Sequence, residues 1–350
     1  MHHIRVTMNQ LAKQAGVHVS TVSRALRGQS SIPDETRRRI QALAEKMGYQ
    51  PDPVLDALCA YRKRVAGVHH RPTLAIIATN PDWQKDLANR LYFDGARQRA
   101  QEQGYQAEVF VMTPTRLNCR RLAGILTTRG IKGIIVLPLA GVNIPLDFPW
   151  DRFFVVATGY KLQVPDISRV SINHFGAIGE TLQRVHDLGY RRPGLVLQAE
   201  GPHLAPDGAS HVSKLWEGGY LAQAPKHFEN PVIPVIRPSG TDAFETWLKT
   251  YQPDLLISQR RDLAAVLPSW ARGLRIVYTM VDDDASLTGI HQNSIHVGRH
   301  AVDLLVGSLY REAPPSPVVP VTVLVDSRWQ DGAQSRGVAP DRNPAKRTSA

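Results

Sequence analysis

The sequence predicts an N-terminal all-α helix-turn-helix head followed by a two-lobed α/β core with parallel sheets. Two observations favour this fold. Short amphipathic helical segments flank Gly16, and from Pro72 onward apolar β-branched runs alternate with helical runs. A chain of 350 residues fits two or three domains. We expect a head over 1–51, a hinge helix and linker over 52–71, a core over 72–332 and a disordered tail over 333–350.

The head begins with two short helices. The first, over residues 8–15, stops at Gly16, a residue that tolerates the positive φ of a tight helix-to-helix turn. The second follows at once, and Val22, Ala25 and Leu26 form its apolar stripe. The other side chains of the second helix should therefore project away from the core of the head.

A third helix is predicted to open at Pro33 or Asp34 and to close at Gly48. It carries the basic run 37–39 on one face and apolar residues on the other. Taken alone, such a run is as compatible with a solvated helix face as with a phosphate-binding surface.

An ordered sequence motif extends through the head and distinguishes it from other small helical bundles. It reads Val6-Thr7-Met8-x-x-Leu11-Ala12-x-x-Ala15-Gly16-Val17-x-x-x-Thr21-Val22-Ser23-Arg24-x-Leu26, then Glu35-Thr36-Arg37, then Gly48-Tyr49-x-Pro51. The motif resembles the headpiece of the lactose-repressor (LacI/GalR) family of bacterial transcription regulators. The resemblance implies a homodimer that binds double-stranded, palindromic operator DNA, with the second helix of each head in the major groove.

The resemblance also implies which residues meet DNA. We expect Val19 and Ser20 to face base edges, and Arg37 to contact phosphate. The full predicted set is Thr7, His18, Val19, Ser20, Thr21, Ser23, Arg24, Arg27, Arg37, Tyr49, Leu58 and Cys59.

The segment after Pro53 is predicted to be a hinge helix. In the resembled family this helix inserts a leucine into the minor groove, and the matching residue is Leu58. The sequence departs from the common hinge at Asp52-Pro53 and at Asp56. The alternative is that Leu55 and Leu58 belong to an ordinary packed helix face.

Charge and cysteine content agree with a nucleic-acid partner in a reducing compartment. The net charge is +11, and the first 64 residues contain eleven Lys and Arg against five Asp and Glu. Only Cys59 and Cys119 occur, so no disulfide framework is implied. The chain shows neither a signal-peptide apolar region nor an apolar run of 18 residues. We therefore expect a cytoplasmic protein that does not enter a membrane.

Two series of alternating strands and helices make up the core, as in sheets covered on both faces. This pattern resembles the effector-binding core of the same family, which is related in fold to periplasmic sugar-binding proteins. The predicted strands are 74–78, 107–112, 133–137, 194–197, 232–236, 254–257 and 275–278, and the main predicted helices of the second series are 176–188, 210–222, 242–251 and 263–271.

Ligands of such sheets bind beyond the carboxyl ends of the strands. Aromatic faces beside amides and carboxylates suit a carbohydrate. The predicted effector residues are Asn80, Asp82, Trp83, Tyr160, Asn173, Trp216, Gln259, Asp282 and Gln292. Sugar-responsive relatives usually have an arginine near residue 216 and an Asn-Asp pair near 259–260, so either the effector differs or there is none.

These features predict a sequence-specific DNA-binding transcriptional regulator, more readily a repressor than an activator, modulated by a small effector. One alternative is an orphan regulator without an effector. Another is a sugar-binding or enzymatic α/β protein with an incidental head. The sequence contains no Gly-x-Ser-x-Gly elbow, P-loop or metal-spaced histidine set, so we expect neither an enzyme nor a cofactor or metal site. The three carboxylates 282–284 are interpreted as a solvated loop.

Overall fold

The computed structural model describes residues 6, 8–26, 32–49, 71–113, 115–139, 147–162, 164–198, 211–228, 231–238, 240–311 and 319–333. These residues form two compact units. The first contains the described residues up to Pro72 together with the last turn and a half of a long helix from Val306, and the second contains the rest. Most of the predicted hinge and tail lie outside the described residues, so the predicted domain boundaries remain predictions.

The head consists of the three predicted helices α1 (Met8–Ala15), α2 (Val19–Leu26) and α3 (Asp34–Lys46). Gly16 has a φ of 66°, which is the left-handed conformation that the turn between α1 and α2 requires. Leu11, Val22 and Ile40, one from each helix, are fully buried against one another. The three helices therefore share a single small apolar core.

The first sheet of the core has six parallel strands in the order β10-β5-β4-β3-β1-β2. Its strands are β1 (Thr73–Ala78), β2 (Gln106–Val111), β3 (Gly133–Val136), β4 (Phe154–Thr158), β5 (Arg169–Ile172) and β10 (Thr322–Val325). Helices α4 (Leu87–Glu102) and α5 (Arg116–Thr128) connect the first three strands. The central strands are buried on both faces, as expected for a parallel sheet.

The second sheet has five strands in the order β11-β9-β8-β7-β6, and only the pairing of β11 with β9 is antiparallel. Its strands are β6 (Pro193–Val196), β7 (Leu255–Ser258), β8 (Arg275–Tyr278), β9 (Gly289–His291) and β11 (Arg328–Gln330). The accompanying helices are α6 (His174–Asp187), α7 (His211–Gln223), α8 (Thr241–Tyr251), α9 (Leu263–Val266) and α10 (Ser294–Arg311). The predicted α/β core of two parallel sheets is confirmed.

Two predicted elements are wrong in detail. Residues 232–236 do not form a strand but make a single bridge, between Val196 and Ile236, because prolines at 231 and 234 interrupt the ladder. The predicted helix 263–271 stops at Val266, since Leu267 precedes a proline and is extended. The prediction also omitted the short strands β4, β5, β9, β10 and β11.

Apolar side chains fill both faces of each sheet. Cys119 on α5 belongs to the core beside β3, where only 1% of its surface is exposed. Burial raises the pKa of its thiol, and the carboxylate of Asp147 adds to the increase. Among the described helices, none combines the length and the apolar character that a membrane span needs.

Candidate functional site

The second helix of the head presents one buried and one accessible face. Val22 and Ala25 are fully buried, Thr21 and Ser23 are half-buried, and Arg24 is exposed. Val19 differs from the expectation, because it packs partly against the core of the head. It lies one turn before Val22, at the flank of the apolar stripe, so its methyl groups are shared between the core and the surface.

Other predicted DNA contacts lie around this helix. His18 is exposed immediately before α2, and its carbonyl accepts hydrogen bonds from the amides of Thr21 and Val22. Tyr49 is partly buried against the core of the head. Thr7, Arg27, Leu58 and Cys59 lie outside the described residues, as does the side chain of Ser20, and their roles remain predictions.

The three arginines of the basic run on α3 differ in their contacts. The Arg37 guanidinium lies 2.6 Å from an Asp34 carboxylate oxygen and donates to the Ile32 carbonyl at 3.2 Å. Arg39 donates to the carbonyl of Ala15 at 3.3 Å. Arg38 is exposed. Arg37 therefore already stabilises the start of its own helix, and a phosphate would have to share it with Asp34.

The core contains a cavity of about 210 Å³ between the carboxyl edges of its two sheets. Pro138 and Gly159 follow β3 and β4 of the first sheet at this point. Gln198, Gln259 and Thr279 follow β6, β7 and β8 of the second, and Gln292 follows β9. The same edge of a parallel sheet is where ligands of α/β proteins bind, and the location agrees with the sequence prediction.

Aromatic rings form one side of the cavity. The Trp216 side chain is 1% exposed, and its ring meets that of His174 edge to face at a centroid distance of 5.4 Å. The ring of Tyr160 lies 6.2 Å from that of His174. The rings offer apolar surface of the kind that packs on the C–H faces of a sugar.

Glutamine amides from the second sheet are fixed by the protein itself. The Gln259 carbonyl oxygen accepts hydrogen bonds from the amide of Gln198 and from the hydroxyl of Ser213, both at 3.2 Å. Gln292 donates its amide to the carbonyl of Thr279 at 2.6 Å. These bonds hold the two side chains in place, so their remaining polar groups are preorganised toward the cavity.

Residues after β4 and on β5 form the part of the lining that belongs to the first sheet, which we call the first-sheet wall: Tyr160, Lys161 and Ser171. The guanidinium of Arg169 lies 5.7 Å from the Tyr160 ring centroid and donates to the Leu162 carbonyl at 2.9 Å. Burial raises the pKa of Tyr160 and outweighs the opposite effect of Arg169. The tyrosine is therefore a neutral hydroxyl at physiological pH.

Of the nine predicted effector residues, Tyr160, Trp216, Gln259 and Gln292 line the cavity, and the other five do not. The ring of Trp83 packs against the ring of Phe93, and their centroids are 4.9 Å apart. Asn80 accepts a hydrogen bond from the amide of Asp82, whose carboxylate pairs with a lysine. These three side chains stabilise the loop between β1 and α4.

Asn173 and Asp282 are helix caps instead. Asn173 accepts from the amide of Gly176 at 3.0 Å and so caps α6. Asp282, whose side chain is 3% exposed, accepts from the amides of Gln292 and Ser294, both at 2.7 Å. Asp282 therefore supports the cavity by holding Gln292 and the start of α10, without lining it.

Several lining residues were not among the predicted effector residues. Gln198 follows β6 as Gln259 follows β7, and this repeated position after a strand was the available signal. The unpredicted polar lining residues include Asp86, Lys161, Ser171, Gln198 and Thr279. Within the described residues, no group of three or more histidines, cysteines and carboxylates is arranged to hold a metal ion.

The comparison with known proteins covers both parts of the chain. Residues 7–52 match the family described as "Bacterial regulatory proteins, lacI family". The chain is 24% identical over 250 residues to the HTH-type transcriptional regulator TreR of Salmonella typhimurium. The alignment covers 71% of this chain and 73% of TreR. This alignment is much longer than the head, so the similarity extends into the core.

Solved structures share the fold. A transcriptional regulator CelR–cellobiose complex aligns with a TM-score of 0.53 at 21% identity, over 93% of this chain and 99% of CelR. The lac repressor dimer bound to operator and the anti-inducer ONPF aligns with a TM-score of 0.50 at 16% identity, over 95% and 99% of the two chains. Residues 7–52 therefore form a head of the lacI family of bacterial regulatory proteins, and the chain as a whole is similar to transcriptional regulators that share its fold.

Proposed function

We propose that this regulator represses transcription by binding a palindromic operator as a homodimer, and that a carbohydrate-class effector in the core cavity modulates the binding. The observation that carries the first part is the head: a glycine turn places α2 with an accessible polar face beside a compact three-helix core. Operator DNA as the partner also implies a cytoplasmic location.

The geometry of α2 supports a dimer on a two-fold symmetric site. The helix has eight residues, so the face that carries Thr21, Ser23 and Arg24 can contact only a few base pairs. Two heads related by a two-fold axis double the length of DNA that is read, and the operator mirrors that symmetry. We expect Val19, at the flank of the apolar stripe, to contact a thymine methyl group.

The cavity supports a sensory role for the core. It has apolar rings on one side and fixed amides on another, which is the mixed surface that a hydroxylated ligand needs. Its volume of about 210 Å³ lies below the roughly 300 Å³ at the lower end of common ligand pockets. We therefore expect a ligand of monosaccharide size, or a larger ligand that binds with movement of the two sheets.

The test begins with in vitro selection of DNA bound by the full chain. We expect a palindromic motif. Replacement of Val19 and Ser20 by Tyr and Gln should change which bases are preferred in that motif. Gln41→Ala, an exposed change on α3, is the matched control and should leave the motif unchanged. Recovery of the same motif from the Val19/Ser20 variant would show that α2 does not read the bases.

Operator affinity is then measured with a panel of sugars. An effector must change operator affinity by the same factor by which operator changes its own affinity, typically about 5- to 150-fold. Trp216 lines the cavity and should report ligand binding by fluorescence. A regulator that binds its operator and responds to no compound in the panel would be an orphan regulator.

A further inference from the structure

A second cavity lies at the amino ends of strands of the second sheet, and we call it the amino-edge cavity. It is bordered by Pro193, the first residue of β6, and by Tyr251, which ends α8 shortly before β7. Its volume is about 470 Å³, within the range of roughly 300–1,000 Å³ that is common for ligand pockets. The cavity assigned above to the effector lies at the carboxyl ends of the same strands. The rest of the described lining comprises Arg191, Arg192, Tyr220, Phe228 and the segment 231–234.

Pro234 explains why the strands leave a space here. The parallel bridge at Ile236 is in register for a further bond, from the amide of residue 234 to the carbonyl of Pro193. Proline has no amide hydrogen, so that bond cannot form. The hydroxyl of Tyr220 donates to the Pro193 carbonyl instead, at 2.8 Å. The segment before Ile236 is therefore not paired with β6, and both border the amino-edge cavity.

Two exposed arginine side chains of the lining have free hydrogen-bond donors. Nη1 of Arg191 donates to two carbonyls at or just after the end of α6, at 2.9 and 3.1 Å. Nη2 and Nε of Arg192 donate to carbonyls at or just after the end of α8, at 2.6 and 3.4 Å. These bonds fix the position of both guanidinium groups. Within the described residues, Nε and Nη2 of Arg191 and Nη1 of Arg192 donate to no group, so they are available to a ligand.

The charge of the described lining is positive. It contains two guanidinium groups and no carboxylate, and neither guanidinium forms an ion pair with a described residue. Asp254 lies nearby but outside the lining, and its carboxylate accepts from the backbone amide of Arg191 at 2.6 Å. The partial negative charge at the ends of α6 and α8 is met by the bonds from the arginines to the carbonyls there. An anionic group would therefore complete the free donors.

Beside the arginines the described lining is apolar. The ring of Tyr251 is half-buried, and Pro231 and Pro234 are exposed. Trp247 fixes two of these residues from behind, because its ring lies 6.0 Å from that of Tyr251 and its indole donates to the Pro234 carbonyl at 2.9 Å. Tyr220 is fully buried and supports the cavity without being accessible to a ligand. A flat apolar group fits such a surface.

We propose that the amino-edge cavity is a second ligand site, which binds an aromatic carboxylate or phosphate. The guanidinium groups of Arg191 and Arg192 bind the oxyanion, and Tyr251 with the neighbouring prolines contacts the ring. Arginine suits this role because its planar fork donates paired hydrogen bonds to an oxyanion. A neutral aromatic compound makes the same ring contacts but leaves the free donors unpaired. The site is separate from the proposed effector cavity, and the inference does not depend on that proposal.

The experiment compares phenylacetate, phenyl phosphate, phenethyl alcohol and acetate as probes of the full chain at constant ionic strength. Binding is measured by titration calorimetry. We expect phenylacetate or phenyl phosphate to bind about 10-fold or more tightly than phenethyl alcohol, and acetate to bind more weakly than phenylacetate. Added salt should reduce the preference for the anion. The two aromatic anions are separate arms, and the tighter one identifies the oxyanion.

Variants test whether the arginines carry the preference. The double change Arg191→Gln and Arg192→Gln should reduce the preference for the aromatic anion by about 10-fold or more. Arg272→Gln, a change at an exposed arginine before β8 and outside the lining, should leave it intact. Because Arg191 and Arg192 also bind helix ends, the ratio of the affinities for phenylacetate and phenethyl alcohol is compared, rather than the melting temperature.

A third variant tests the location of the site. Val232 is a half-buried residue of the lining, so Val232→Trp should fill the cavity and abolish binding of every aromatic probe. Three results would overturn the second site: equal affinity for phenethyl alcohol and the anions, a preference that persists without both arginines, or no binding by any probe. Operator binding without a ligand, measured on the same preparations, tests the proposed function independently of these results.

Discussion

The cavity and the crossing of α4 with α10 connect the two halves of the core in opposite ways. At the cavity, side chains from both sheets face a space of about 210 Å³. At the crossing there is no space: a Cβ added to Gly298 would overlap the Tyr92 carbonyl, and one added to Gly95 would overlap the Ile295 carbonyl. Each helix begins near the cavity and reaches the crossing about two turns later or less.

The cavity and the helix crossing therefore have different roles in the core. Residues at the cavity border a space, so a changed side chain there need not overlap the backbone of a neighbouring element. Residues at the crossing set how closely two helices approach, and only glycine fits there. Substitutions in the two regions should therefore differ in their effects on stability.

The largest effect is expected from Gly298→Ala. The added methyl group would overlap backbone atoms of α4, which cannot move aside as a side chain can. We expect a loss of unfolding free energy of about 3 kcal/mol or more, measured by denaturant unfolding. Gly124→Ala on α5 is the control: nothing lies near its Cβ, so stability should rise by about 0.5–1 kcal/mol. Equal effects of the two changes would contradict the close crossing.

Asp282→Ala should have an intermediate effect on both regions at once. The buried carboxylate holds the amides of Gln292, at the cavity, and of Ser294, at the start of α10. Its loss should cost about 2 kcal/mol of unfolding free energy and weaken ligand binding, measured by denaturant unfolding and by Trp216 fluorescence. Asp282→Asn retains one acceptor and should be milder. If stability falls while ligand affinity stays the same, Asp282 serves the helix alone.

The smallest effect concerns an exposed ion pair at the crossing. Arg299 contacts both carboxylate oxygens of Glu102, at 2.9 and 2.8 Å, and Arg99 adds a third bond at 3.0 Å. The hydrogen bonds from Arg299 have the largest effect and those from Arg99 the next, and together they lower the pKa of Glu102 to about 2. Since the folded pKa lies below that of the unfolded chain, the stabilisation is complete above about pH 4.5 and is lost as the pH falls through about 2.

The melting temperatures of wild type and Glu102→Gln should therefore differ slightly at pH 7 and converge as the pH approaches 2. Added salt at pH 7 should reduce the difference, because exposed ion pairs are screened. A difference that grows on acidification would show that Glu102 is not stabilised as the carboxylate.

The head and the two sheets were predictable because local signals agree with the fold. Gly16 ends α1 and permits the turn, and the apolar runs 74–78 and 133–137 correspond to β1 and β3, which are buried on both faces. Strand β5 contains Arg169 and Ser171, both polar, within four residues. A short buried strand with polar residues lacks the apolar signal, so Ser171 was not predicted, although Tyr160 of the same wall was.

The composition of the cavity shows a second limit of prediction. Polar residues at strand ends were expected to converge on a ligand, but Asn173 and Asp282 bind nearby backbone amides instead. A short Asn side chain favours the local cap that Asn173 makes, whereas the Asp282 carboxylate binds amides 10 and 12 residues further along the chain. Gln198, Gln259 and Gln292 occupy comparable positions after strands, and these three line the cavity. The cavity is lined by the longer Gln side chains, and the shorter Asn173 and Asp282 side chains bind backbone amides.

The burial of Cys119 has a practical consequence for labelling the protein. Alkylation requires an accessible thiolate, and Cys119 is 1% exposed with a raised thiol pKa, so maleimides should leave it unmodified in the native state. The sequence contains one other cysteine, Cys59, in the predicted hinge segment. If a maleimide fluorophore reacts with the native protein, we therefore expect Cys59 and not Cys119 to carry it.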